Sequence, residues 1–150
     1  MTRAASFVLT TAVVGLVGCG SLGSGPAPLA GDLLSAPTAL NFKGQLLRLE
    51  ATPRLNGETF GVKVRLHTSR APTPRVTPLN VYVVTGGGVW DAPYRRDPAP
   101  SCGQTACVSG LARGSGDGVQ NGEAVQVVVQ LKDERGRLFW LRDSYARVKR

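Results

Sequence analysis

From about residue 38 onward, apolar and polar residues alternate with a period of two. In Thr59–Thr68, Phe60, Val62, Val64 and Leu66 fall on one side, and Gly61, Lys63, Arg65 and His67 on the other. A strand turns successive side chains to opposite faces, so this pattern predicts a half-buried strand with His67 among its solvent-facing residues. Residues 123–132 repeat it, with Val125, Val127, Val129 and Leu131 inward and Gln126, Gln130 and Lys132 outward. Residues 79–85 (LNVYVVT) and 42–50 (FKGQLLRLE) read as further strands from their β-branched and apolar content. Residues 137–142 (RLFWLR) are apolar on both faces, which suits a strand covered on both sides. Before the last ten residues no segment shows a helical period of 3.6.

Turn chemistry separates these runs. Asn56-Gly57 supplies the positive φ angles of a tight hairpin, with Pro53 leaving the strand before it ragged. The loop 133–136 (DERG) is short enough to join its two flanking strands as an antiparallel hairpin. Gly86-Gly87-Gly88 and the glycine-rich 114–118 mark loops or bulges. Five to seven strands at this spacing predict an all-β fold, an antiparallel β-sandwich of immunoglobulin or fibronectin type over residues 38–150. A small open β-barrel is the alternative.

The N-terminus follows a different pattern. Arg3 precedes an uninterrupted apolar stretch, 7–17 (FVLTTAVVGLV), which has the length of a secretory signal core and falls short of the ~20 residues needed to span a bilayer. It ends in Leu16-Val17-Gly18-Cys19, which resembles the lipobox of bacterial lipoproteins. The resemblance covers the signal alone. It implies removal of residues 1–18, acylation of Cys19 and anchoring of the mature chain to a membrane of the cell envelope, because two or more acyl chains hold a protein stably where one does not. Gly20 at the second mature position resembles lipoproteins sent to the outer membrane where the envelope has two membranes. The following Gly-, Ser- and Pro-rich stretch makes 19–37 a flexible tether by composition.

Composition adds two things. Gly 19 and Pro 10 among 150 residues fit a turn-rich β fold. The net charge of +8 is unevenly placed: residues 132–150 hold seven basic and three acidic residues. Arg142, Arg147, Lys149 and Arg150, near Trp140 and Tyr145, are therefore the candidate face for an anionic polymer or lipid. A solvated strand face with a basic terminus is the competing reading. Tyr94-Arg95-Arg96 beside Trp90 forms a second basic spot.

Catalytic chemistry finds little support. Cys102 and Cys107 are the two thiols left once Cys19 is acylated, and an exported address makes them a disulfide closing the loop CGQTAC. Their spacing is not the C-x-x-C of a redox pair, and two cysteines with one histidine do not make a metal cage. His67 is expected on an exposed strand face rather than in a cleft beside a serine and an acid. Glu58, Asp91, Asp97, Asp133 and Glu134 fall in turns with no pairing across a substrate. The glycines at 114–118 match no phosphate cradle, and a calcium loop opening at Asp117 would require oxygen ligands where Val119 and Val128 stand. No catalytic residue, metal or cofactor is expected. The sequence thus implies a non-enzymatic, membrane-anchored envelope lipoprotein whose sandwich binds or scaffolds another envelope component. A binder of anionic polymer or lipid through the C-terminal face is the alternative, a small hydrolase with a cryptic site a remoter one, and nucleic acid is not an expected partner.

Overall fold

The computed structural model describes residues 27–98, 102 and 107–150. A short helix, α1 (Ala30–Leu34), precedes nine strands: β1 (Ala39–Phe42), β2 (Gln45–Asn56), β3 (Thr59–Thr68), β4 (Val76–Thr85), β5 (Gly88–Pro93), β6 (Arg95–Arg96), β7 (Cys107–Ser115), β8 (Ala124–Asp133) and β9 (Leu138–Arg147). They form two antiparallel sheets, β1-β2-β3-β7-β6 and β5-β4-β8-β9. With β1 and β5 set aside, this is the immunoglobulin arrangement: of the seven remaining strands, the first, second, fifth and fourth lie in one sheet and the rest in the other, and β5 is an additional strand beside β4. The expected sandwich is the observed fold, and neither sheet closes into a barrel.

The core lies between the sheets and is built from the inward positions that alternation selects. Phe60, Val62, Val64, Leu66, Val125, Val127, Val129 and Leu131 are each at most 2% exposed. Val81 and Val83 of β4 and Leu141 of β9 join them. On β7 the inward positions include Gly110 and Gly114, and aromatic rings from the neighbouring connection occupy the vacated space. Tyr94 packs over Gly110 and Trp90 over Gly114. Trp90 also stacks edge-to-face on Phe60, with ring centroids 4.8 Å apart, and donates Nε1–H to the Ser115 carbonyl at 2.7 Å. The Tyr94 hydroxyl is buried with no hydrogen-bond partner among the described residues, and its pKa is pushed up to about 12 by burial, with the Arg96 charge pulling down and Asp97 adding to the rise.

Several boundaries differ from the sequence reading. Residues 42–50 are not one strand. β1 ends at Phe42, Lys43 and Gly44 turn the chain with φ of 52° and 77°, and β2 begins at Gln45. The Asn41 side chain accepts the Gly44 N–H at 3.1 Å and holds the turn. A two-residue hairpin pairs Phe42 with Gln45 and so inverts parity: the core-facing positions pass from Leu40 and Phe42 to Leu47 and Leu49. Leu46 and Leu47 are apolar at both parities and hide the change. β2 also runs straight through Pro53 to the expected hairpin at Gly57, which has φ 59°. Ala51 and Leu55 turn their N–H groups away from β3, to the Asp143 carboxylate and the Lys149 carbonyl. The Pro53 nitrogen, in phase with both, faces this edge, so no bond to β3 is lost. Alternation does not reveal β5, β6 and β7, because Gly110 and Gly114 interrupt the apolar pattern of β7 and β5 and β6 are short. Gly88 and Gly114 belong to strands rather than loops.

The greatest departure concerns the expected tether. Residues 1–26, with the signal, Cys19 and the first part of 19–37, lie outside the described residues. The remainder of 19–37 has definite structure: α1 lies on the outer face of the four-stranded sheet, burying Leu33 and Ala36 against Tyr82 and Val128, with Trp140 beside them. This contact explains why 137–142 is apolar on both faces. Phe139 and Leu141 serve the core between the sheets, and Trp140 serves the second cluster under α1.

Candidate functional site

The opposite broad face, on the outside of the five-stranded sheet, has no such cover among the described residues. Its side chains follow from register. Thr52 of β2 lies beside Lys63 of β3 and Leu111 of β7; Arg54 lies beside Gly61 and Arg113. Arg95 of β6 pairs with Leu111, and Lys149 bridges in parallel to Arg54. Cations from β2, β3, β6, β7 and the C-terminal segment thus gather on one face, although they are far apart in the chain.

An open groove of about 860 Å³ runs across this face, lined by Thr52, Arg54, Asn56, Thr59, Gly61, Lys63, Arg65, Leu111 and Arg113. No acid lines it. Gly61, in the central strand, keeps the floor low. A Cβ there would meet only the Ala112 carbonyl and the Arg113 Cγ at 3.6 Å and Leu111 at 3.9 Å, ordinary contact distances. Glu50 at the border is already held, by Arg65 at 3.5 Å and His67 at 2.6 Å. Arg54, Lys63 and Arg113 have no ion pair and no side-chain hydrogen bond among the described residues. At the inner end, the register partners Arg65 and Ser109 each bury a polar atom, Nε and Oγ, that lacks a partner among the described residues.

Comparison with known proteins adds no precedent. The chain matches no known protein family, no curated protein and no solved structure.

The expected C-terminal quartet is dispersed. Arg142 is half-buried and already engaged, its Nε donating to the Ala36 carbonyl at 3.0 Å and a terminal nitrogen to Gln126 Oε1 at 2.7 Å. It fastens the α1 segment to β9. Arg147 donates to the Gly122 carbonyl at 2.8 Å. Lys149 belongs to the other sheet: its N–H donates to the Pro53 carbonyl and its own carbonyl accepts from Leu55. Arg150 is an exposed terminal residue. Of the four, Lys149 alone pairs with a residue of the groove. Cys102 and Cys107 are bridged, tying the chain to the start of β7. His67 sits on the outer face, half-exposed rather than free, because Glu50 binds it.

The turn acids have structural employment. At the β8–β9 hairpin, Asp133 Oδ1 accepts the N–H groups of Arg135 and Arg137, and Oδ2 accepts the Arg137 guanidinium at 2.8 Å. Burial pushes its pKa upward, but the Arg137 backbone and side chain and the Arg135 N–H outweigh burial and lower it. Glu134 is lowered chiefly by its hydrogen bond with Lys43, and Arg75 lies 3.2 Å away on its other side. In the glycine-rich loops, Glu123 fills the place an external anion would take, accepting the N–H groups of Gly86 and Gln120. Val119, within the rejected calcium loop, is buried. No group of three or more His, Cys, Asp or Glu able to hold a metal occurs among the described residues.

The groove is hard to read from the sequence because its residues come in ones and twos. The available signal was parity: Arg54 shares the outward parity of Arg48 and Thr52, and Arg113 that of Leu111. Reading it required β2 to continue past Pro53 and β7 to be recognised through its glycines.

Proposed function

We propose that this protein is a lipid-anchored cell-envelope protein whose β-sandwich is a non-catalytic binding module. The observation that carries the reading is the unequal treatment of the two outer faces. The N-terminal segment is packed and hydrogen-bonded onto the four-stranded sheet through Leu33, Ala36 and the Arg142 clamp, whereas no element among the described residues covers the outer face of the five-stranded sheet. An anchor at Cys19 supports an orientation with the covered sheet toward the bilayer. The chain joins the domain at Leu29, beside the covered sheet, and the other sheet stands roughly 10 Å farther from that point. The module then offers its free face to envelope components rather than to its own membrane. Outer-membrane placement, from Gly20, belongs to the same reading for an envelope with two membranes.

Fractionation tests it. The natural chain is expected in the membrane pellet, and Cys19→Ser in the soluble fraction at comparable abundance. Equal retention of both proteins in the pellet overturns the anchor.

A further inference from the structure

We propose that the groove on the outside of the five-stranded sheet binds a linear polyanion, a polymer bearing phosphate or carboxylate groups without nucleobases. Three observations converge on this ligand. Arg54, Lys63 and Arg113 surround the floor at Gly61 and carry no internal counter-charge among the described residues. Arg54 and Arg113 are two strand spacings apart, about 10 Å, and Lys63 lies about 7 Å along the strand from Gly61. These separations are close to the Debye length of about 8 Å at physiological ionic strength, so the fields of the three cations overlap. A small anion reaches one of them at a time, whereas a chain of anions spans all three. Guanidinium forks match carboxylate and phosphate oxygens, and Thr52, Thr59 and Asn56 supply further donors along the lining.

The lining also argues against two other polyanions. Among the described residues it contains no aromatic side chain on which bases could stack, since Trp90 and Tyr94 pack against the inward side of β7. A bilayer is flat, whereas this face is concave; and on the orientation proposed above, which this second argument alone requires, it points away from the anchoring membrane.

The test uses the full chain carrying Cys19→Ser, so that no acyl group contributes. Its probes are inorganic polyphosphate, polygalacturonate, inorganic phosphate, single-stranded DNA and phosphatidylglycerol vesicles. Polyphosphate or polygalacturonate is expected to bind, and which is tighter identifies the anionic group. Arg54→Ser, Lys63→Ser and Arg113→Ser together are expected to weaken that binding about tenfold and to lower the slope of log K against log salt by about 2. Gly61→Val raises the floor without altering charge and is expected to weaken binding severalfold with the salt slope unchanged. Lys132→Ser, Arg147→Ser and Arg150→Ser remove equal charge elsewhere and are expected to leave affinity within about twofold. Thermal unfolding confirms that each variant is folded. An equal loss from the two triple variants reduces the effect to net charge and overturns the proposal, as does indifference to Gly61→Val. Tighter binding to vesicles, DNA or inorganic phosphate than to either polymer also overturns it. The anchor is judged separately by fractionation, so failure of either reading leaves the other standing.

Discussion

Glycines show most directly how single residues divide the labour in this protein. Gly110 and Gly61 both sit inside strands of the same sheet, one facing in and the other out. A Cβ at Gly110 would collide with the Tyr94 ring, while one at Gly61 meets nothing closer than 3.6 Å. Gly110→Ala should therefore destabilise the fold by about 1–3 kcal/mol through overpacking, and Gly61→Ala should be neutral or slightly stabilising, since glycine weakens a strand interior. Urea unfolding of the two variants checks the contrast. Asp133 makes the corresponding argument for charge. Its folded pKa lies below the ordinary 3.8, so its contribution is fully present above that value and is lost as pH falls through the folded pKa. Asp133→Asn should unfold at a lower Tm at pH 7 and lose part of the natural chain's stability decline below about pH 4. A Tm against pH curve parallel to that of the natural chain would contradict this.

At the scale of elements, packing rather than propensity sets the hierarchy. β8 runs through the core with Val127 fully buried, and Val127→Asp should cost several kcal/mol because it places a charge where no partner waits. α1 has only five residues and no side-chain N-cap, so its existence depends on docking. Isolated helices of that length do not persist. Leu33→Asp should release it locally, uncovering Trp140 while the sandwich stays folded. Acrylamide quenching in a Trp90→Phe background should rise, with urea unfolding of the sandwich shifted far less than by Val127→Asp. The Cys102–Cys107 bridge closes a short loop beside β7; its removal by Cys102→Ser and Cys107→Ser should cost about 2 kcal/mol on the chain-entropy model. Intact mass before and after reduction and alkylation reports the bridge in the natural chain.

For the whole molecule, local pattern and long-range assembly divide what could be read. Period-two alternation reports which face of a strand is apolar. It therefore determined the sandwich, the eight core residues from Phe60 to Leu131 and the outward placement of Lys63, Arg65 and His67, all of which depend on burial alone. Turn dipeptides determined the Gly57 hairpin and the β8–β9 loop, because positive φ is a property of one or two residues. Tertiary structure decided the rest. Whether Arg142 is a ligand or a clamp depends on the carbonyl of Ala36, more than a hundred positions away. Whether Pro53 ends a strand depends on which edge its nitrogen meets, and whether β7 is a strand depends on two aromatic rings that fill the space over its glycines. The groove depends on register across three strands, β2, β3 and β7. Charge density along the chain directed attention to residues 132–150, but electrostatic fields add through space, and the uncompensated cations that fall within one another's reach are Arg54, Lys63 and Arg113.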